Sequence, residues 1–135
     1  MVNRNTNNLV EVRKNLKHGK GLFALKDLKQ GEKVYSFKKG KVIGPDQIKK
    51  LSETEKRYLD KISVDEYEII KPPGCYVNHS CDPNVEEKNM TAHTLRNIGK
   101  GEEITIDYDQ TAYVSEPFRC HCGSNNCRGS VRGKQ

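Results

Sequence analysis

The sequence has no tryptophan, only three phenylalanines and two methionines, and 33% apolar residues in a chain of 135. So thin a stock of large apolar side chains excludes long packed helices and favours short elements joined by many loops. The 11 glycines and 5 prolines point the same way, toward a compact, turn-rich, mainly β protein. Long hydrophobic runs are missing as well. Nothing approaches the roughly 20 apolar residues that cross a bilayer, and the asparagine-rich residues 1–8 lack the apolar core of a signal peptide. The expectation is an intracellular protein, cytoplasmic, or nuclear or chromosomal in a eukaryote, with no membrane partner. The length bounds one domain, there is no internal repeat or low-complexity tract, and residues 1–8 are expected to be disordered.

Charge is not concentrated either. The formal net charge is +6, but the lysines and arginines lie scattered, with small groups at Lys38, Lys39 and Lys41, at Lys49 and Lys50, and at Arg128, Arg132 and Lys134. Scattered cations read as solvated faces, so direct nucleic-acid binding has weak support. Cysteine is present in an odd number, five, which in a reducing compartment argues against paired disulfides.

Taken in order, Leu9 to Arg13 alternates apolar and charged residues as a half-buried strand does. Gly19 and Gly21 follow; alone they are a weak signal, since the longer dinucleotide fingerprint is missing. Leu22 to Leu25 and Lys33 to Phe37, separated by the turn residue Gly31, read as two short antiparallel strands. After Gly44 and Pro45, Asp46 caps a short turn, and Ser52 with Glu55 forms a capping box opening the one short helix, to about Lys61. Asp65 to Lys71 reads as a strand ended by Pro72-Pro73-Gly74. Val85 to Ile98 reads as a further strand that Gly99-Lys100-Gly101 turns back into Glu103 to Asp107. His93, in mid-strand, reads as structural or solvent-facing, and residues 109–117 read as a linker into a cysteine-bearing tail.

Two stretches carry chemistry. Tyr76-Val77-Asn78-His79-Ser80-Cys81-Asp82-Pro83-Asn84 crowds hydrogen-bonding side chains, a thiol and a rigid turn residue into nine positions, which predicts a specified irregular loop. In the tail, Cys120, Cys122 and Cys127 stand as C-x-C-x4-C, three soft ligands of a tetrahedral metal site whose fourth must come from elsewhere. Cys81, His79, Cys75 and His121 are the candidates. In an extended segment His121 points away from its cysteine neighbours, whereas Cys81 projects from the rigid loop.

Gly19-Lys20-Gly21-Leu22-Phe23-Ala24, Asn78-His79-Ser80-Cys81-Asp82-Pro83-Asn84, Gly101-Glu102-Glu103-Ile104-Thr105-Ile106-Asp107-Tyr108 and the cysteine tail together, and in this order, closely resemble the SET-domain protein lysine methyltransferases with their post-SET zinc segment. The resemblance covers residues 9–130 and lacks the family's pre-SET cysteine cluster. It implies a β-clip-like fold of several short antiparallel sheets, with the asparagine-histidine loop and the tyrosine segment packed as a pseudoknot. Residues 9–112 would form the SET domain and 113–135 the post-SET segment and tail.

The same resemblance implies S-adenosylmethionine as methyl donor, with S-adenosylhomocysteine as product, and structural Zn2+ held by Cys81, Cys120, Cys122 and Cys127. Lys20, Gly21, Asn78 and His79 would contact the cofactor, as would Tyr108, which matches the catalytic tyrosine. Tyr67, Tyr76 and Ile106 would line the lysine channel. Aromatic walls suit a nitrogen that keeps its charge as methyls accumulate. The implied partner is a protein bearing a target lysine, histone or another basic chromatin protein among them. A SET-like zinc-dependent binding module without turnover is the alternative. Two departures stand out: Ile106 occupies a position commonly aromatic, and Cys75 one that is often arginine.

Overall fold

The computed structural model describes residues 9–15, 19–36, 40–71, 73–111 and 117–133. The expected disorder of residues 1–8, the boundary at 112–113, and Phe37, Lys38, Lys39 and Lys134 lie outside those residues. Within them the protein is built from twelve short strands in four sheets, with three single-turn α-helices and a 3-10 turn. No helix among the described residues is long and apolar enough to cross a membrane.

The central sheet has β1 (Val10–Asn15) and β2 (Gly19–Ala24) as an antiparallel pair running from Val10 opposite Ala24 to Asn15 opposite Gly19. Gly19 has φ +83, the left-handed conformation that glycine tolerates, where the chain enters β2. Two further strands complete this sheet in the order β1-β2-β10-β7: β10 (Glu103–Ile106) lies antiparallel to β2, and the two-residue β7 (Asn78–His79) runs parallel to β10. A second sheet joins β3 (Lys33–Ser36), β9 (Thr91–Thr94) and β8 (Val85–Lys88); a third joins β4 (Lys41–Ile43), β6 (Tyr67–Ile69) and β5 (Leu59–Lys61). The tail pairs β11 (Phe118–Arg119) with β12 (Ser130–Val131).

Strand pairing corrects two of the expectations. Gly31 and Gly99 to Gly101 do not close hairpins between neighbouring strands. The connections that contain them cross side by side from one sheet to the other, so that β2 pairs with β10 and β3 with β9. Leu28 and Ile98, each 1% exposed, exchange backbone hydrogen bonds of 2.8 Å in both directions at the middle of the crossing. Burying that apolar pair outweighs the local turn preference, because its peptide groups find partners in each other instead of water. The 85–98 segment is also not one strand. It folds into the β8–β9 hairpin around Asn89 (φ 53) and Met90 (φ 67), a two-residue left-handed turn with no glycine to announce it.

The helical turns are short for a similar reason. α1 (Pro45–Ile48) carries proline at its first position, and α2 (Glu53–Arg57) has the expected capping box: Ser52 Oγ accepts the Glu55 N–H at 3.1 Å and Glu55 Oε1 accepts the Ser52 N–H at 3.0 Å. The helix does not continue to Lys61. Residues 59–61 leave it to form β5, whose backbone pairs with β6, a better outcome than extending a helix with few apolar positions. In the expected 109–117 linker, α3 (Tyr108–Thr111) adds a turn. The main core gathers Val10, Leu22, Leu28, Val34, Ile98 and Ile104; a smaller cluster of Cys81, Cys120 and Val131 sits under the tail, and Tyr108 packs against both.

Candidate active site and metal centre

Asn78 is the joint on which the central sheet closes. Its Nδ2 donates to the Lys20 carbonyl and to Glu103 Oε2, both at 2.8 Å, so one amide ties β7 to β2 and β10. Glu103 Oε1 in turn accepts from Asn15 at 2.6 Å. Gly21 lies under this junction: a Cβ there would stand 2.6 Å from Glu103 Oε2 and 3.2 Å from Asn78 Nδ2, so any larger residue would force the carboxylate aside. Lys20 is exposed, with its ammonium over the Tyr76 ring at 5.6 Å from the centroid.

His79, the next residue, is buried. Its Nδ1 accepts the backbone N–H of Tyr108 at 3.1 Å, and its Nε2 lies 3.4 Å from Cys81 Sγ. A nitrogen that accepts an N–H cannot carry a proton itself, so the ring is the neutral Nε2–H tautomer with that hydrogen aimed at sulfur. Burial pushes the His79 pKa below its usual value, and this outweighs the nearby Asp107 carboxylate. The residue therefore orients its neighbours instead of titrating at neutral pH.

Tyr108 is reached from three directions. Its ring meets His79 edge-on at 5.4 Å and Phe118 of the tail at 6.4 Å, and its hydroxyl donates to the carbonyl of Val77. Burial, reinforced by Glu87, Glu103, Cys75 and Asp60, drives its pKa well above the ordinary phenol value. The group is thus a permanent neutral phenol. With its hydrogen given to Val77, what it offers outward is oxygen lone pairs.

The tail is held by charge and by sulfur. Arg128 bridges Asp107 at 2.7 Å and Asp109 at 2.9 Å, and Asp109 Oδ1 accepts the backbone N–H groups of Arg132 and Gly133, each at 2.8 Å. The thiol sulfurs of Cys81, Cys120, Cys122 and Cys127 all lie within 4.8 Å of one another, with Cys81 and Cys120 3.8 Å apart. Zinc–sulfur bonds of about 2.3 Å give tetrahedral sulfur–sulfur edges of about 3.8 Å, whereas a disulfide needs about 2.05 Å, so the set suits a zinc site. The Arg128 backbone N–H also points at Cys81 Sγ at 3.3 Å, as donors around a metal thiolate do. Burial raises the Cys122 thiol, but hydrogen bonds from Ser124 and the backbone overcome it and bring the pKa down to about 5. Among the four candidates for the fourth ligand, only Cys81 joins the cluster; His121 is exposed.

Of the remaining expected residues, Tyr76 packs edge-on to Tyr58 at 5.5 Å, Ile106 is buried in the main core opposite His79, and Tyr67 stands half-buried in β6 opposite Ile43 and Lys61. Three residues that hold this site were not singled out from the sequence. Asn84, 2% exposed, donates to the Glu103 carbonyl at 2.8 Å and accepts the Thr105 N–H at 2.9 Å, locking the end of the loop to β10. Its place in the Pro83-Asn84 turn was the available signal. Arg128 and Asp109 gave none, because their partners are distant in sequence.

Comparison with known proteins agrees with this architecture. Residues 19–109 match the family model described as SET domain. A histone-lysine N-methyltransferase, H3 lysine-36 specific, of Yarrowia lipolytica is 33% identical over 93% of this chain and 18% of its own length; SETD2 of Mus musculus is 31% identical over 93% of this chain and 6% of its length. Set2 of Drosophila melanogaster is 40% identical over 44% of this chain and 3% of its length. The chain thus spans less than a fifth of these relatives. The crystal structure of the methyltransferase domain of human histone-lysine N-methyltransferase SETMAR superposes with a TM-score of 0.68 over 96% of this chain and 60% of that one, at 18% identity, a likeness of fold.

Proposed function

We propose that this chain, which belongs to the SET-domain family, transfers a methyl group from S-adenosylmethionine to the side-chain nitrogen of a protein lysine, with histone or another basic chromatin protein as substrate class. The observation that carries the reading is the Tyr108 phenol: half-buried, un-ionised, and with its hydrogen committed to the Val77 carbonyl beside the asparagine-histidine strand. Bound S-adenosylmethionine supplies a methyl group on a sulfonium, and displacement at that carbon depends on alignment more than on reactive groups.

The chain's own residues supply the alignment. The Lys20 carbonyl, the Glu103 carboxylate and the Asn78 amide meet at one junction, with the Lys20 ammonium over the Tyr76 ring, and this set of polar groups fits the amino-acid end of the cofactor. Gly21 keeps that junction open, and His79 fixes the backbone of Tyr108. Tyr108 presents its oxygen to the reacting centre and orients the incoming amine. Tyr76, Tyr67 and Ile106 belong to the walls of the lysine passage in this reading. Cys81, Cys120, Cys122 and Cys127 would hold a structural zinc that would fix the tail, and with it Phe118, against Tyr108. A nuclear, chromatin-associated site of action follows from that substrate class.

The test is incubation with a labelled methyl donor and a panel of basic proteins including histone H3, followed by mass spectrometry of the modified lysines. Label on lysine, lost in Tyr108→Phe, is the expected result. A chain that binds S-adenosylhomocysteine and zinc yet methylates no lysine is the silent binding module instead.

A further inference from the structure

The residues on either side of the active-site phenol are both aspartates, and the tail holds both. Asp107 is buried, Asp109 lies in the first turn of α3, and Tyr108 stands between them. A single nitrogen of Arg128, Nη2, donates to Asp107 Oδ1 at 2.7 Å and to Asp109 Oδ2 at 2.9 Å. The other oxygen of Asp109 accepts the N–H groups of Arg132 and Gly133, and Gly133 has φ +84. Two successive amides converging on one oxygen form an anion-binding nest. The backbone N–H of Asp109 donates to Asp107 Oδ1 at 3.0 Å, and that oxygen lies 3.7 Å from His79 Nδ1, the atom that accepts the Tyr108 N–H. The tail thus grips the tyrosine segment on both sides of the ring.

That grip bears on the chemistry because α3, a single turn of four residues, is too short to hold its own geometry in water. Two carboxylates bound to one nitrogen are close neighbours, and without the guanidinium their like charges would repel across Tyr108. Asp107 would also keep its charge out of water with this cationic partner gone. The thiol set holds the tail by a different contact. Arg128 meets the sulfur of Cys81 with its backbone N–H, at 3.3 Å, and the carboxylates with its side chain, so truncating the side chain leaves the sulfur contact in place. Resting on the methyl-transfer reading above, we propose that Arg128 is a positioning residue for that reaction. By binding the carboxylates on both sides of Tyr108 it sets the direction of the phenol, a task separate from that of the thiols. The printed contacts of the Asn78, Lys20 and Glu103 junction do not include it, so its loss should fall on turnover and spare cofactor affinity.

The experiment compares wild type, Arg128→Ala, Arg128→Lys and the double variant Arg128→Ala/Asp109→Asn in the whole chain, each checked for bound zinc. Turnover is measured at saturating methyl donor, and affinity for S-adenosylhomocysteine by calorimetry. Expected for Arg128→Ala is a loss of about 10²-fold in turnover, the penalty of misplacing a reacting group by about 1 Å. Affinity should stay within about threefold. Arg128→Lys restores the charge without the planar fork and should recover to within about tenfold of wild type. The double variant should be no slower than Arg128→Ala alone, because the second substitution removes the repulsion that the first exposes. A readout without turnover is amide exchange. The Tyr108 N–H should exchange faster in Arg128→Ala, while those of Leu22 and Ile104 stay slow. Unchanged turnover in a zinc-loaded Arg128→Ala, equal losses in turnover and affinity, no recovery in Arg128→Lys, or a double variant slowed further would overturn this role and leave the enzyme reading standing. A wild type that methylates no lysine overturns both.

Discussion

The backbone N–H of Tyr108 donates to Nδ1 of His79 at 3.1 Å, and this bond fixes more than backbone position. It commits the imidazole to carrying its hydrogen on Nε2, toward the sulfur of Cys81. One neutral ring, carried on a strand of only two residues, thus connects the tyrosine segment with the thiol cluster. The phenol, the Asn78–Lys20–Glu103 junction and the tail are parts of one arrangement, and their separate removal should be distinguishable.

Tyr108→Phe keeps the edge-on packing against His79 and Phe118 and loses only the hydroxyl bonded to Val77. Turnover should fall by roughly 10²- to 10³-fold, the range seen when one preorganised polar group is lost at a reacting centre. Affinity for S-adenosylhomocysteine should stay within about threefold, since the side chain's apolar contacts remain. Parallel rate and calorimetric measurements decide this, and equal loss in both would reassign Tyr108 to binding.

Asn78→Ala removes both hydrogen bonds that join β7 to Lys20 and Glu103. Leaving those acceptors without their donor should cost about 1–3 kcal/mol of stability. If Lys20, Gly21 and Glu103 frame the cofactor junction, S-adenosylhomocysteine should bind at least about tenfold more weakly, equivalent to about 1.4 kcal/mol. Calorimetry that gave wild-type affinity for a folded Asn78→Ala would detach the amide from cofactor binding.

Purified chain should contain stoichiometric zinc, and chelation or Cys122→Ser should release the tail while sparing the sheets. The ligands span Cys81 in the loop and three tail cysteines, so losing the metal removes the link between them, whereas the Leu28–Ile98 crossing contains no thiol. Amide exchange should accelerate through residues 117–133 and remain slow around Leu22 and Ile104. Metal analysis of fresh protein that found no zinc would end this account of the cluster.

Much of this arrangement was legible beforehand, and what was not has a physical pattern. The Asn78–Asn84 loop and the C-x-C-x4-C spacing could be read because their chemistry is local: turn residues, donors and soft ligands at short separations. The Ser52–Glu55 capping box was readable for the same reason, and both of its hydrogen bonds are present. Strand partners were not, because the bond pair between Leu28 and Ile98 joins residues 70 positions apart, and no local turn signal encodes it. Asn84 was within a recognised motif, yet its work as a clamp on Thr105 and Glu103 is a tertiary fact. Glu87 was invisible altogether, since an acidic residue in an alternating strand reads as solvent-facing until Tyr35 is found against it.

The Tyr35–Glu87 contact makes a prediction about the protein without substrate. The folded-state pKa of Glu87 is raised from 4.5 to about 7, so between those values the folded chain holds a proton that the unfolded chain has released. Stability from this group is therefore present below about pH 4.5, declines as pH rises, and is fully lost above about pH 7, a change on the order of 2–3 kcal/mol. Glu87→Gln has no such proton to lose. Its stability relative to wild type should improve by that amount between pH 5 and pH 8, read as the difference between denaturant unfolding curves at equal zinc. Groups titrating alike in both proteins, the thiols included, cancel in that comparison. A gap that is the same at both pH values would mean that Glu87 is hydrated in the folded chain and that its carboxyl is not raised.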